Sequence, residues 1–471
     1  MRRPLLILAS LAALPLAAWQ AATPQPDRDW PQFGHDLASS GSLNAATGIT
    51  AANVASLKRR QVPLAGIVDA SAIYLRGVTV RGSPHDTIFV TTSYGKTLAI
   101  DANAGVLWEY TPPKYDTWAG TRQITNSTPV ADPDRQHIYA AAPDGTIQKL
   151  AISDGHALWT TPITLLPQSE KIASALKVFH GHVIAVTGGY TGDRPPYQGH
   201  VAILDASNGQ LLHVWNSLCS DRPGLIQPDS CPAQRSAIWG RAGAVIDAAT
   251  GNIFVATGNG PYDGKTSWGD AIIELDPDAT RIVGNYTPSD NATLLARDQD
   301  LGSTSPALLG GDLLVQAGKA PKIELLSIKA IAGADPHDGH ELQTLPSDGR
   351  VFGAPAVWHR DADTWMFAAD ARGTEAWALR DGKLTSVWKN TNAGTSPVVA
   401  GGLLYIYDLQ GGLRVYEPVQ GTLITTLECD KGHWNSPIVV DGRIILPEGN
   451  ANVRTTTAGV LDIWTLPDVH P

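Results

Sequence analysis

The sequence predicts an all-β fold, and three observations together indicate an eight-bladed β-propeller. The chain of 471 residues contains 46 Gly and 33 Pro, whereas only 17% of its residues are charged. This composition is typical of many short strands joined by tight turns. A turn signature and a strand-opening motif both recur along the chain, and helical periodicity is scarce.

The turn signature follows a strand that ends in a polar residue, commonly Asp. The turn contains Asp or Asn with Gly, and it leads into a strand that often carries Trp. Asp and Asn side chains bond to their own backbone in such turns, and Gly adopts positive φ without a Cβ clash. We expect the Trp to pack between neighbouring sheets. The copies lie at 98–108, 150–159, 203–211, 275–278, 378–388 and 415–421.

The second motif, usually Ser or Thr followed by Pro, opens many of the apolar strands. A Pro at the first residue of a strand removes no hydrogen bond from the ladder. The later copies lie about forty residues apart, which is the length of one four-stranded propeller blade. The copies of this opening motif lie at 127–129, 303–306, 353–355, 395–397 and 435–437.

These motifs divide residues 29–467 into eight units of a single propeller domain, each a blade of four antiparallel strands. We expect an isolated strand in 49–64 to complete the last blade, because closing the ring hides the edge strands. A series of β-sandwiches is the alternative, but its units would not share this turn signature. The units cover 65–115, 124–163, 172–216, 236–288, 302–335, 350–390, 394–428 and 433–467.

The N-terminus predicts export. Two Arg residues precede an apolar run from Leu5 to Ala18, and small residues lie near Ala17 to Ala22. This pattern is that of a secretory signal peptide, which we place at residues 1–22. The run is too short for a membrane span, and no later stretch is long and apolar enough. The predicted location is therefore periplasmic or extracellular, with no transmembrane segment.

The net charge and the cysteine content indicate which partners and which disulfide the chain allows. The net charge of -10 argues against a nucleic-acid partner, which would require a basic face. Cys219 and Cys231 bracket a Pro-rich loop, and an exported chain permits a disulfide between them. Cys429 is expected to be a buried free thiol.

The stretch from Trp239 to Asp300 is the candidate site. It contains Trp239-Gly240, Thr257-Gly258-Asn259 and the spaced pair Asp298 and Asp300, and Lys319 follows in the next unit. Each has a structural alternative. Trp239 would pack a blade, Asn259 would hold a left-handed turn, the Asp pair would cap a turn, and Lys319 would be solvated.

The turn repeat resembles that of the quinoprotein propellers, the pyrroloquinoline quinone (PQQ) dehydrogenase superfamily. The segment 29–36 (Asp-Trp-Pro-Gln-Phe-Gly-His-Asp) is also similar, with Ile49-Thr50 and Asn53-Val54 after it. The resemblance covers nearly all of 29–467. Members include quinoprotein dehydrogenases and also outer-membrane-assembly lipoproteins, which share the repeat and bind no quinone. The fold alone therefore does not decide the function.

The resemblance to the dehydrogenases implies a role for each candidate residue. Trp239 would lie under the flat quinone, Asn259 would ligate calcium, and Asp298 or Asp300 would accept the proton of the alcohol. Lys319 would polarise the quinone oxygens, while Arg122 and Trp434 resemble further cofactor contacts. Independently of the resemblance, His433 is a candidate for the mouth of the central channel, with a structural role as the alternative. These residue types suit a planar polyanion, a hard cation and proton abstraction.

Two departures from the dehydrogenase pattern are visible. The enzymes carry a disulfide between adjacent cysteines, and this chain has no Cys-Cys pair. They also supply a Glu ligand to calcium from a stretch that matches Gly188 to Asp193 here, which contains no Glu. Asp193 is the candidate replacement, although residues 194–198 look inserted.

The first hypothesis is thus a PQQ- and calcium-dependent dehydrogenase of alcohols or sugars that passes electrons to a separate acceptor. The alternative is a non-catalytic propeller that binds an envelope protein as an interaction scaffold. A third hypothesis, a carbohydrate- or polymer-binding propeller, is suggested by Trp118, Trp268 and Trp365.

Overall fold

The computed structural model describes residues 28–347, 349–453 and 458–467. The predicted signal peptide, residues 1–22, lies outside this part of the chain. Strands dominate the described residues, together with one short α-helix, Asn291–Arg297. None of the described helices is long and apolar enough to cross a membrane. The 3₁₀ helices are Val54–Ser56, Tyr115–Thr117, Pro228–Ser230 and Leu301–Ser303.

The strands form an eight-bladed propeller of four-stranded antiparallel blades, as predicted. Blade 1 consists of Ile73–Val80, Ser83–Thr91, Thr97–Asp101 and Val106–Tyr110, and blade 2 of Val130–Ala131, His137–Ala141, Thr146–Ala151 and Ala157–Pro162. Blade 3 consists of Lys177–Phe179, His182–Val186, His200–Asp205 and Leu211–Asn216, and blade 4 of Val245–Ile246, Ile253–Ala256, Ile272–Leu275 and Ile282–Tyr286. Blade 5 consists of Ala307–Gly310, Leu313–Ala317, Lys322–Ser327 and Gln343–Pro346, and blade 6 of Ala356–Arg360, Asp363–Ala369, Thr374–Arg380 and Lys383–Asn390. Blade 7 consists of Val398–Ala400, Leu403–Tyr407, Leu413–Tyr416 and Leu423–Leu427, and blade 8 of Ile438–Val440, Arg443–Glu448, Gly459–Thr465 and Lys58–Leu64.

Blade 8 combines three strands from the C-terminal part of the chain with one strand from the N-terminal part. Lys58–Leu64 pairs antiparallel with Gly459–Thr465, and Arg59 binds both carboxylate oxygens of the buried Asp462 at 2.8 Å. Two short pairings add to the four-stranded blades, one as an extra strand of blade 7 and one as a separate two-stranded sheet. Ser42–Leu43 runs parallel to Val398–Ala400, and Glu170–Lys171 pairs with Gly188–Gly189.

The predicted unit 302–335 was wrong at its end. It omits the fourth strand of blade 5, Gln343–Pro346, because the segment 328–342 separates that strand from the third. The helix Asn291–Arg297 was also not predicted. At seven residues it is too short for a helical period to stand out from the surrounding loop.

The recurrent Trp packs between neighbouring blades, as predicted, and it lies on the recurrent Gly of the next blade. A Cβ on Gly155 would lie 2.5 Å from the Trp108 ring, and one on Gly209 would lie equally close to Trp159. The Trp108 Nε1–H donates to Ile152 O at 2.8 Å. Clusters of buried aliphatic side chains fill the remaining space between adjacent blades. The turn signature therefore couples neighbouring blades as well as turning the chain.

The segment 30–47 lies across one end of the propeller axis. Its backbone bonds to the first strands of several blades, and Lys177 Nζ donates to Asp36 O at 2.9 Å and to Ser39 Oγ at 2.6 Å. Trp30 and Phe33 are buried there. The backbone pairs are Trp30 with Tyr74, Pro31 with Ala131, Leu37 with Ile246, Ser40 with Val357, Gly41 with Val399 and Thr47 with Gly442.

Candidate functional site

Strand direction brings the candidate residues to the opposite end of the axis from segment 30–47. Trp239 and Trp434 precede the first strands of blades 4 and 8, whereas Asn259 and Lys319 follow the second strands of blades 4 and 5. In an antiparallel pair, the start of one strand lies beside the end of the next. Residues that are distant in sequence therefore meet at one edge of each blade.

Five of the candidate residues surround a single small space. Trp239, Asn259, Asp298 and Asp300 line a cavity of about 10 Å³, and Asp193 lines it too. Lys319 lies beside the cavity, with its Nζ 2.5 Å from the Oδ2 of Asp300. A cavity of this size holds about one water-sized particle. It is the size of an ion site rather than of an organic ligand.

Asn259 and Lys319 connect the two aspartates of this cavity. Asp300 accepts the backbone N–H of Asn259 at 2.9 Å, and Asp298 accepts the Asn259 side-chain N–H at 2.7 Å. Lys319 Nζ lies 3.3 Å from the Oδ2 of Asp298. The two carboxylates differ in exposure, since 66% of the Asp298 side chain is exposed and only 7% of that of Asp300.

Two glycines permit this close approach. A Cβ on Gly318 would lie 2.8 Å from the carbonyl oxygen of Asp300, and one on Gly302 would lie 2.5 Å from the backbone of Thr257. The backbone N–H of Lys319 consequently reaches Asp300 O at 3.0 Å. Both glycines are needed for space, since their φ angles are not in the left-handed region.

The charges in the cavity perturb one another. Burial, followed by the charge of Asp300, raises the pKa of Asp193 above its usual value. Burial opposes the charged form of Lys319, but the carboxylates of Asp300 and Asp298 outweigh it and raise its pKa. Lys319 is therefore held as a cation between two anions.

The donor set fits a hard cation. Three carboxylates line the cavity, and the side-chain oxygen of Asn259 is buried and accepts no hydrogen bond from the described residues. A buried polar atom without a partner is unfavourable unless a ligand binds it. Carboxylate and amide oxygens are the ligands that Ca²⁺ prefers. Asn259, Asp300 and Asp193 are accordingly the residues that would hold calcium.

A larger cavity of about 300 Å³ opens on the other side of Trp239. This axial cavity is lined by Trp239, Trp434 and Phe352, whose ring centroids lie 5.9 to 6.2 Å apart. Its volume is at the lower end of the range for small-molecule sites. The Trp434 ring stands at 71° to that of Trp239, so a flat ligand that stacks on Trp239 would meet Trp434 at its edge.

Four cationic side chains line the axial cavity: Lys171, Arg241, Lys319 and Arg350. Lys319 Nζ lies 5.8 Å from the centre of the Trp239 ring, and Arg241 Cζ lies 5.3 Å from that of Trp434. Lys319 and Arg241 therefore each lie close to a different Trp ring of the cavity. A planar polyanion fits this arrangement, because its face can stack on Trp239 while the cations neutralise its charge.

Asp69 fixes the position of Trp434. This buried carboxylate accepts the Trp434 backbone N–H at 2.9 Å, lies 2.9 Å from His433 Nδ1, and accepts a bond from the Asn126 side chain at 2.9 Å. Burial raises the pKa of Asp69, but His433 and these donors outweigh that effect and lower it. The backbone of Trp434 is thus held by a hydrogen bond to a buried carboxylate.

The remaining sequence-predicted residues lie elsewhere. Arg122 is exposed and does not line the axial cavity. Cys219 and Cys231 form a disulfide with Cα atoms 6.1 Å apart, and Cys429 is a half-buried free thiol. Trp118, Trp268 and Trp365 are each only 2% exposed, so these three do not form the predicted carbohydrate-binding surface.

Sequence reasoning missed Asp69, Lys171, Arg241, Arg350 and Phe352. A positional signal existed for one of them. Asn126, Phe352 and Trp434 each stand immediately before a strand-opening motif, and all three line the axial cavity. Residues at this position face the axis because the motif starts the first strand of a blade. Lys171 and Arg241 show no comparable pattern.

Comparisons with known proteins agree with the fold. Residues 41–222 match the family described as outer membrane protein assembly factor BamB. Quinohemoprotein alcohol dehydrogenase ADHIIG from Pseudomonas putida HK5 is similar, with a TM-score of 0.71 and 14% identity, over 94% of this chain and 81% of that chain. A europium-containing methanol dehydrogenase gives a TM-score of 0.70 and 14% identity, over 93% and 98%.

BamB from Moraxella catarrhalis is also similar, with a TM-score of 0.52 and 15% identity, over 88% of this chain and 99% of that chain. A comparison with curated proteins gives no significant match. These similarities agree with the eight-bladed propeller fold that the sequence predicted. At these identities, the solved structures show the fold, and the activity has to be argued from the site.

Proposed function

We propose that the chain is an exported, PQQ- and metal-dependent dehydrogenase that oxidises a small alcohol or sugar and passes the electrons to a separate acceptor. One observation carries this proposal. Trp239, Asn259, Asp298 and Asp300 line an ion-sized space, and Lys319 lies beside it in an adjoining cationic aromatic cavity. A purely structural role would not require this set to converge.

The axial cavity would hold the cofactor. Trp239 provides a flat face, and Lys319 presents its ammonium group to the same cavity. The cofactor, when bound, would supply the two-electron oxidant, since the redox chemistry belongs to the cofactor and not to side chains. The protein binds and orients it.

The ion-sized space would hold calcium on Asn259, Asp300 and Asp193. Asp300 is suited to this role because it is almost fully buried and its position is fixed by Asn259 and Lys319. Asp193 takes the place of the Glu that the dehydrogenases supply. The similar methanol dehydrogenase contains europium, which suggests a second metal class for this site, since trivalent lanthanides also bind oxygen ligands.

Asp298 would be the general base. Its side chain is exposed at the edge of the ion-sized space, so an incoming hydroxyl can reach it. The bond from Asn259 and the nearby Lys319 hold its carboxylate in one orientation. A base that is oriented and accessible is suited to remove a hydroxyl proton.

The test is a thermal-shift and absorbance titration of the purified protein with PQQ and Ca²⁺. We expect PQQ to raise the melting temperature in the presence of Ca²⁺, since a ligand that binds only the folded state stabilises it. Asn259→Ala should remove the Ca²⁺ dependence, whereas Asn208→Ala, in an exposed turn, should not. No shift at saturating PQQ with either Ca²⁺ or a lanthanide would refute the proposal.

A second candidate function is supported by the family match over residues 41–222, that is, an envelope scaffold related to outer-membrane assembly. The missing Cys-Cys pair also favours it. A scaffold keeps its biological effect in a strain that carries Asp298→Asn and Lys319→Met, whereas a dehydrogenase loses it. Complementation of a deletion strain with this double variant separates the two functions.

A further inference from the structure

Lys171 and Arg241 are two buried cations that no carboxylate contacts among the described residues. Lys171 is 5% exposed and Arg241 is 2% exposed, and both line the axial cavity. Arg241 donates to the backbone oxygens of Ala173 and Asn126 at 2.7 Å, and neither bond neutralises its charge. Its Nε is buried and has no hydrogen-bond partner in the described structure.

Lys171 has fewer polar contacts than Arg241. Its ammonium group lies 5.9 Å from the centre of the Tyr190 ring and makes no hydrogen bond to the described residues. The charged groups that act on it are Asp69 and Arg241, and the cavity also contains Asp193, Lys319 and Arg350. A buried cation without a contacting anion is unfavourable, so this arrangement indicates a place for an anion.

Asp69 does not fill that place. Its oxygens already accept bonds from Asn126, Trp434 and Ala451 and are paired with His433. One carboxylate therefore faces two buried cations and a His, and it is saturated with donors. This end of the cavity therefore carries positive charge that no carboxylate of the described residues neutralises.

We propose that Lys171 and Arg241 form an anion-binding site that takes a carboxylate group of an aromatic polycarboxylate. Trp434 and Trp239 lie between Arg241 and Lys319, with their ring centroids 6.2 Å apart. A flat ligand that stacks on Trp239, with Trp434 at its edge, lies between these two cations. Its carboxylate lies at the Lys171 and Arg241 end, and its other edge points to Asp298 and Asp300.

This inference rests on the proposed function only for the natural ligand, because the site requires neither metal nor redox chemistry. Trimesate (benzene-1,3,5-tricarboxylate) is therefore a suitable probe, since it is aromatic, anionic and redox-inert. Isothermal titration of trimesate and of PQQ is compared for the wild type, Lys171→Met and Lys171→Arg. Lys383→Met removes an exposed positive charge and is the matched control.

We expect Lys171→Met to weaken trimesate binding about 10- to 100-fold, the range of a charge-assisted hydrogen bond. Lys171→Arg should restore most of the affinity, and Lys383→Met should leave it unchanged. Because burial lowers the pKa of Lys171 to about 7, binding of the anion takes up a proton. The affinity should therefore fall as the pH rises from about 7 to about 9, and this dependence should be absent in Lys171→Met.

The outcomes separate this inference from the proposed function. Trimesate binding that depends on Lys171, without PQQ binding, supports the anion site and refutes the dehydrogenase. PQQ binding with equal affinity to the wild type and to a folded Lys171→Met variant overturns the anion site and leaves the dehydrogenase standing. Failure of trimesate to bind the wild type also overturns it.

Discussion

Asp298 and Asp300 are two residues apart, yet their surroundings assign them different tasks. The carboxylate of Asp300 is buried against Asn259 and Lys319, whereas that of Asp298 lies open at the rim. Sequence spacing alone left the two interchangeable. Burial separates them, because a metal ligand needs a fixed position and a base needs access to the substrate.

Terbium binding tests this division. We expect Asp300→Asn to lower Tb³⁺ affinity at least about 10-fold, because it removes a negatively charged ligand. Asp298→Asn should retain most of the affinity, since an amide oxygen can still accept the Asn259 bond, but it should abolish turnover. Tb³⁺ emission excited through the nearby Trp239 reports the binding. Equal affinities for Asp300→Asn and the wild type would remove Asp300 from the metal site.

Asp270 gives the protein a predictable pH dependence. It is buried, one oxygen accepts Leu301 N–H at 2.9 Å, and the other has no partner among the described residues. Burial, followed by the charge of Asp300, raises its pKa to about 8. Between about pH 4 and pH 8, the folded state therefore keeps a proton on Asp270 that the unfolded state has already released.

The free energy of unfolding should thus fall as the pH rises through this window, by up to about 1.4 kcal/mol per pH unit. Asp270→Asn keeps an acceptor for Leu301 and cannot ionise, so its stability should decline less over the same range. Urea unfolding at about pH 5, 6.5 and 8 measures the difference. Parallel curves for the two proteins would show that Asp270 is ionised in the folded state.

Much of the candidate site could be predicted from sequence, and the missing part has a physical reason. Trp239, Asn259, Asp298, Asp300 and Lys319 stand in short motifs that resemble those of the dehydrogenases. The cations Lys171 and Arg241 stand in no such motif. Their importance arises only when the ring brings the start of blades 3 and 4 to the axis.

At the level of elements, the turn signature has two functions. It reverses the chain between the third and fourth strands, and its Gly receives the Trp of the preceding blade. The pattern was readable from sequence because both residues recur at fixed spacing. The fourth strand of blade 5 was not readable, since a long excursion separates it from its partner.

The Trp–Gly contact can be isolated with two alanine substitutions. Gly155 and Gly181 both have φ of +79°, but a Cβ on Gly155 would meet Trp108 at 2.5 Å, whereas a Cβ on Gly181 would meet nothing within 4 Å. Gly181→Ala should lower the free energy of unfolding by about 1 kcal/mol through backbone strain alone. Gly155→Ala should cost about 1–3 kcal/mol more, because the ring must move.

Chemical denaturation of both variants measures the two costs. The difference between the two costs is the free energy of the clash with Trp108, because the backbone strain is common to both variants. Equal destabilisation would mean that Trp108 shifts without penalty and that the contact does not couple blades 1 and 2.

At the level of the whole molecule, the two ends of the axis differ. Segment 30–47 covers one end, and the candidate site occupies the other. Charge is also divided, since the chain is acidic overall and yet four cations line the axial cavity. A cationic cavity within an acidic protein favours a small anion over a large acidic partner.

Lys177 anchors the segment that covers the far end. Lys177→Met should lower the melting temperature, because the bonds from its ammonium group to Asp36 O and Ser39 Oγ are lost. Limited proteolysis should then cut within residues 28–41 sooner than in the wild type. The exposed Lys383→Met serves as the control, and equal cleavage in the two variants would show that Lys177 does not hold the segment.

A binding titration of PQQ in the presence of Ca²⁺ tests the central claim most directly. The account predicts saturable binding of one PQQ per chain to the wild type, with the affinity strongly reduced in Trp239→Ala and in Lys319→Met, because one variant removes the stacking face and the other the cation. Absence of saturable binding to the wild type, or equal binding to all three folded proteins, would contradict it.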